Sequence, residues 1–172
     1  MAKFTGVSAS TGIALIVPAT TGGHPTLWNP EGSRVNVHVR ELALSYVSGN
    51  NAPTAIEWAA VTNAGSSIGT GAPIVTATLV APTGVLGEGA DNEARWSPTT
   101  NTFGAAPAFL RPTGISLFTG VAATAVAPFL LVAKYDLGNF EIAPGNAICL
   151  CTQAATTTAL FQVAVSWEEV AI

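Results

Sequence analysis

The clearest pattern in the chain is a strict alternation. In Arg34-Val35-Asn36-Val37-His38-Val39-Arg40 the odd positions are apolar and the even ones polar. That is the signature of a strand with one buried and one wet face. At Glu41 the phase flips, and Leu42, Leu44 and Tyr46 become the apolar set. A flip inside a continuous strand pattern predicts a β-bulge or a crossing from one sheet to another. Alternation returns near the end: Phe161, Val163, Val165 and Trp167 share one face, and Gln162, Ala164, Ser166 and Glu168 the other. Short β-branched or alternating runs predict further strands at Phe4–Val7, Ile13–Val17, Ala55–Val61, Ile74–Val80, Ile115–Thr119, Phe129–Tyr135, Phe140–Ile142 and Ala147–Thr152. Gly, Pro and Asn clusters such as Asn29-Pro30-Glu31-Gly32 and Pro144-Gly145-Asn146 punctuate them and supply the bends that turns need.

No long segment carries a 3.6-residue period, and nothing between strands reads as a crossover helix. The expectation is an all-β, antiparallel sandwich or barrel. At 172 residues the chain suits one domain. Residues 1–12 are expected to form an N-terminal arm and 13–172 the domain, with a long loop at 83–113 where the pattern dissolves into Gly, Ala, Pro, Asn and Thr. A loop of that length is expected to be functional or ordered by a neighbour.

Charge changes the picture. Only 9% of residues are charged, against roughly 25% in an ordinary soluble domain. A surface of Ala, Thr, Ser, Asn and Gly suits permanent contact with other subunits. The net charge is −4 and the six Lys and Arg are scattered, so neither nucleic acid nor a membrane surface is an expected partner. The first apolar run, Ile13 to Val17, is too short for a signal-peptide core and is cut by Pro18, so folding in a cytoplasm is expected.

The search for chemistry is unproductive. A cupin metal site needs two His two positions apart, yet His38 has Asn36 and Arg40 as same-face neighbours, and His24 sits in a distant Gly-rich turn. His38 is expected on a wet strand face. Cys149 and Cys151 point to one face of a strand about 7 Å apart, which suits a disulfide poorly. They are expected to be reduced core residues with no nearby base. Glu88, Asp91 and Glu93 match no calcium-loop spacing. No enzyme activity, cofactor or metal is expected.

Four segments carry a family likeness: Leu27-Trp28-Asn29-Pro30-Glu31-Gly32-Ser33, Leu44-Ser45-Tyr46-Val47-Ser48-Gly49, Ile142-Ala143-Pro144-Gly145-Asn146-Ala147 and Ser166-Trp167-Glu168-Glu169. Through them the chain resembles the jelly-roll capsid decoration (cement) proteins of tailed bacteriophages. The resemblance implies a jelly-roll sandwich, assembly as a homotrimer, and a partner in the major capsid protein on the outside of the phage head. A phage tail or fibre module that binds a receptor glycan is the alternative, with Trp96 and Phe103 supplying the pocket. The expected partner-contacting anchors are Phe4 in the arm and Trp96, Phe103 and Phe109 in the loop, each able to bury about 150–250 Å².

Overall fold

The computed structural model describes residues 2–50, 53–61, 74–76, 83–84, 93–117, 130–136, 139–155 and 158–172, with the backbone alone at 74–76, 83–84, 100 and 130. The described residues form strands and no helix. The strands are β1 (Ala2–Val7), β2 (Thr21–Gly23), β3 (Thr26–Asn29), β4 (Val35–Ser48), β5 (Thr54–Ala60), β6 (Ile74–Thr76), β7 (Thr83–Gly84), β8 (Arg95–Ser97), β9 (Thr100–Phe103), β10 (Ala108–Leu117), β11 (Leu130–Lys134), β12 (Glu141–Ile142), β13 (Asn146–Thr152) and β14 (Leu160–Ala171).

Two principal sheets run in the orders β11-β4-β14-β1-β7, with β12 also on β4, and β10-β5-β13-β3-β8. A small third sheet has the order β2-β9-β6. The pairings are antiparallel throughout the described residues. The chain passes from the second sheet to the first and back along β3, β4 and β5. The inner faces close on one core, with Phe4, Leu42, Leu44, Phe161 and Val163 from one sheet and Leu27, Ile56, Trp58, Trp96 and Leu150 from the other. The all-β antiparallel sandwich is therefore present.

The phase flip at Glu41 has a definite cause. Ser166 pairs with Glu41 and Trp167 with Val39, so Arg40 has no opposite residue. This is a β-bulge, and β4 remains one 14-residue strand in one sheet. Where two strands were expected, over 34–39 and 42–47, the bulge joins them.

The middle of the second sheet, β5, β13 and β3, is buried on both faces. β13 turns Ile148 and Leu150 into the sandwich core. It turns Ala147, Cys149 and Cys151 the other way, into a smaller cluster with Trp28, Ala59, Val61 and Phe103. Phe103 comes from β9, in the third sheet. Burial on both sides explains why Ala147–Thr152 reads as an apolar run rather than an alternation.

Three sequence expectations are corrected. Residues 2–7 are not a free arm: β1 pairs with β14 over six positions and buries Phe4. Residues 83–113 contain β7, β8, β9 and the start of β10, so the stretch is not a structureless loop. Residues 13–17 form no strand; Ile13 makes an isolated bridge to Phe161, and Leu15 is buried in the core. Residues 77–82 and 85–92, with Glu88 and Asp91, lie outside the described residues.

The turn from β3 to β4 shows how local chemistry sets the crossing between sheets. Asn29 Nδ2 donates to the carbonyls of Val35 at 2.9 Å and Ile142 at 2.8 Å, and Ser33 Oγ donates to Asn29 Oδ1. Gly32 takes a φ of +85°, which a side chain would strain. Changing Ser33→Ala is expected to lower stability by about 1 kcal/mol. A urea melt checks this, and an unchanged midpoint would remove Ser33 from the turn's energetics.

Candidate functional site

The four expected anchors do not come together. Phe4 is fully buried, with its ring centroid 6.0 Å from that of Trp167. Trp96 is fully buried in the sandwich core. Phe103 is buried under the third sheet, 5.6 Å from the His24 ring. Their apolar surface is spent inside their own chain, which corrects the expectation that they reach a partner. Phe109 differs, because 52% of it is exposed.

Phe109 is one of two adjacent exposed apolar side chains on β10. Its neighbour Leu110 is likewise 52% exposed. β10 ends the second sheet's strand order, and its ladder to β5 slips between Phe109 and Arg111 and again between Pro112 and Ile115. The first slip leaves Leu110 without an opposite residue, so two successive large side chains stay in solvent. Bulges and Pro112 also spoil the edge as a template for strand addition. The surface offers side chains, not a ladder, to a neighbour. It rests on a firm base. Thr113 Oγ1 donates to the Ile56 carbonyl at 2.8 Å, Tyr135 Oη to the Thr113 carbonyl at 3.1 Å, and Trp58 Nε1 to Tyr135 Oη at 2.9 Å. Burial raises the Tyr135 phenol above its ordinary value, although Trp58 and Arg111 pull the other way. The Arg111 guanidinium lies 5.0 Å from the Phe140 ring centroid and donates to the Asn139 carbonyl at 3.0 Å.

A second feature is a cleft of about 400 Å³ on the outer face of the first sheet, beside the Arg40 bulge. It is lined by Lys3, Arg40, Glu41, Lys134, Asp136 and Glu168, with Phe4, Tyr135, Ser166 and Trp167. Its charges largely answer one another. Lys3 and Arg40 each lie 3.7 Å from Glu168, and Lys134 lies 3.7 Å from Glu41. The exposed Lys134–Glu41 pair contributes about 0–1 kcal/mol, whereas the carboxylate shared by Lys3 and Arg40, that of Glu168, is buried. The cleft has a balanced polar lining rather than a cationic one.

Two histidines stand apart. His38 is buried rather than wet; β12 pairs beside it with Glu141 opposite, and its Nε2 lies 3.6 Å from Glu141. His24, on the β2–β3 connection, does have neighbours that sequence spacing concealed. Its Nδ1 lies 3.3 Å from Cys151 Sγ, and Cys151 Sγ lies 3.8 Å from Cys149 Sγ. Both thiols are free and buried. The Cys151 thiol is pulled down to about 6 by its hydrogen bond with Cys149, with His24 acting the same way against burial. Burial pushes Cys149 well above the ordinary thiol range, and Cys151 adds to this. A thiol beside an imidazole can serve as a nucleophile. Here His24 and Cys151 are both 0% exposed, so no substrate reaches either atom. The sequence signal that could have found this group is the pairing of two soft Cys ligands with a His in a Gly-rich turn, but 127 positions separate His24 from Cys151.

No family model, no curated protein and no solved structure matches this chain.

Proposed function

We propose that this chain is a structural virion protein: a decoration protein of jelly-roll type that binds the outside of a tailed-phage head as a homo-oligomer, with the trimer that the family resemblance implies as the proposed form. The observation that carries this reading is the Phe109–Leu110 surface on β10, two large apolar side chains about half exposed on a bulged edge strand. On a chain with 9% charged residues, such a surface is served best by burial against a subunit. Val132, on β11 at the end of the first sheet's strand order, is a further exposed apolar side chain at 44%. The major capsid protein is the proposed larger partner. The receptor-glycan alternative draws no support from Trp96 and Phe103, since neither aromatic face is open to a sugar.

The test uses the full chain and phage heads that lack decoration. Light scattering after size exclusion should give an oligomer, and the protein should co-sediment with the heads. Phe109→Ser with Leu110→Ser should leave the melting temperature close to the parent's, because exposed positions usually move stability by about 0.5 kcal/mol or less. Attachment or oligomerisation should weaken at least about tenfold if these two side chains are hot spots. A monomer at micromolar concentration that leaves heads bare would overturn the proposal.

A further inference from the structure

We infer that His24, Cys149 and Cys151 form a binding site for one thiophilic d10 cation, zinc or copper(I). The inference uses side chains that the assembly surface does not touch, and it stands or falls separately.

The geometry is the starting point. Two thiolates on one tetrahedral ion at about 2.3 Å are separated by about 3.8 Å, and a thiolate and an imidazole nitrogen by about 3.6 Å. Cys149 Sγ and Cys151 Sγ stand 3.8 Å apart, and His24 Nδ1 is 3.3 Å from Cys151 Sγ. The three ligand atoms lie within 4.8 Å of one another. Both sulfurs point to one face of β13, so a single ion can bridge them. A disulfide would need about 2.05 Å between them, and residues two apart on a regular strand resist that closure.

The ligands are held in place before any ion arrives. β13 lies inside its sheet, with β3 on one side and β5 on the other. The His24 carbonyl accepts from Asn101 Nδ2 and from Thr26 Oγ1, each at 2.7 Å. Ser97 Oγ in turn donates to Asn101 Oδ1 at 2.6 Å. A polar frame of this kind, 0% exposed at Asn101, Ser97 and Thr26, fixes the turn that carries the imidazole. Supporting shells of this sort orient metal ligands. The pocket is otherwise apolar, and His24 Nε2 is buried without a hydrogen-bond partner among the described residues.

Ligand type selects the ion. Two thiolates and an imidazole prefer zinc or copper(I) over calcium or magnesium, which take oxygen ligands. Zinc with two thiolates is neutral overall, which suits a buried site. The Leu150 carbonyl lies 3.3 Å from His24 Nδ1, within hydrogen-bond reach, and an ion on Nδ1 replaces that contact. Copper(I) accepts three ligands, whereas zinc needs a fourth donor beyond these side chains. Because all three side chains are sealed from solvent, the ion enters as the chain folds.

The experiment therefore refolds the full, reduced chain from denaturant without metal, and separately with equimolar zinc, copper(I) or cobalt(II). The expected result is one ion per chain by elemental analysis and a thiolate-to-cobalt charge-transfer band that zinc or copper(I) abolishes. Tm should rise by about 5–10 °C when the ion is at a hundredfold excess over its Kd. Whichever of zinc and copper(I) displaces the other identifies the preferred ion. Cys149→Ala with Cys151→Ala should lose the band. A double variant that keeps its ion would place the metal elsewhere and overturn the assignment. Should that variant not fold, the wild-type chain still decides: no charge-transfer band, and no Tm change with zinc or with copper(I), would overturn it equally.

Discussion

Replacing Trp96 with alanine is expected to destabilise the protein by about 3–5 kcal/mol, the range for removing a buried aromatic and leaving a cavity. Trp96 is 0% exposed and packs in the main core. Its ring lies against the backbone of β1. A Cβ built on Gly6 would stand 2.5 Å from Trp96 Cγ, a separation that van der Waals contact forbids. Gly6→Ala is thus expected to cost about 1–3 kcal/mol by overpacking the same spot from the other side. Neighbouring sites couple, so the double variant should fall short of the sum. Urea melts of the two single variants and the double variant measure all three terms. If Trp96→Ala kept the parental midpoint while losing attachment to heads, Trp96 would be a partner contact and not a core residue.

The second large effect is expected at Glu169. Its carboxylate is 5% exposed and accepts three hydrogen bonds. The Glu93 and Ala94 amides donate to it at 3.0 Å each, and Trp167 Nε1 at 3.2 Å. This one side chain staples the start of β8 to β14, and so helps to hold Trp96 in place. Glu169→Ala leaves donors without acceptors, each worth about 1–3 kcal/mol, offset in part by no longer burying a charge. A net loss of about 2–4 kcal/mol is expected, with Glu169→Gln intermediate because its carbonyl still accepts. Hydrogen exchange supplies the specific readout: the amides of Glu93 and Ala94 should lose protection before those of β8. Uniform loss across the sandwich would mean that Glu169 acts on the whole core rather than on this joint.

Both effects act on the stretch around β8, where local pattern is weak. β3 and β8 are short, four and three residues, and β3 is buried at every position. A strand flanked on both sides and covered on both faces shows no polar alternation, so Thr26–Asn29 resembles a turn; β8, three residues at the end of the strand order, is too short to show one and resembles a loop. An aromatic in a Gly- and Pro-rich stretch then suggests a partner contact. Here the partner is the chain's own core. β1 misleads in a related way. Position at a terminus suggests an arm, yet its register with β14 turns Phe4 inward. Phe109 was legible as an exposed aromatic only in the sense that nothing near it in sequence supplied a reason for burial.

Alternation by itself determined the class. A period of two over 34–40, its flip at Glu41 and its return over 161–168 require half-buried strands, because successive side chains on a strand must face opposite ways. A bulge or a sheet crossing at Glu41, the antiparallel all-β architecture and the buried, free cysteines follow on that basis, together with the chemistry of Cys; the structure decides for the bulge. Only the tertiary structure decided where the remaining apolar residues go and which polar ones meet. His24, Asn101 and Cys151 are far apart in sequence, and nothing in their local spacing relates them. Their meeting depends on how the third sheet covers the second, a long-range packing outcome in which burial of Phe103 and Trp28 brings the His24 turn down onto β13. Local periodicity encodes which face is apolar; it carries no information about what that face will be covered by.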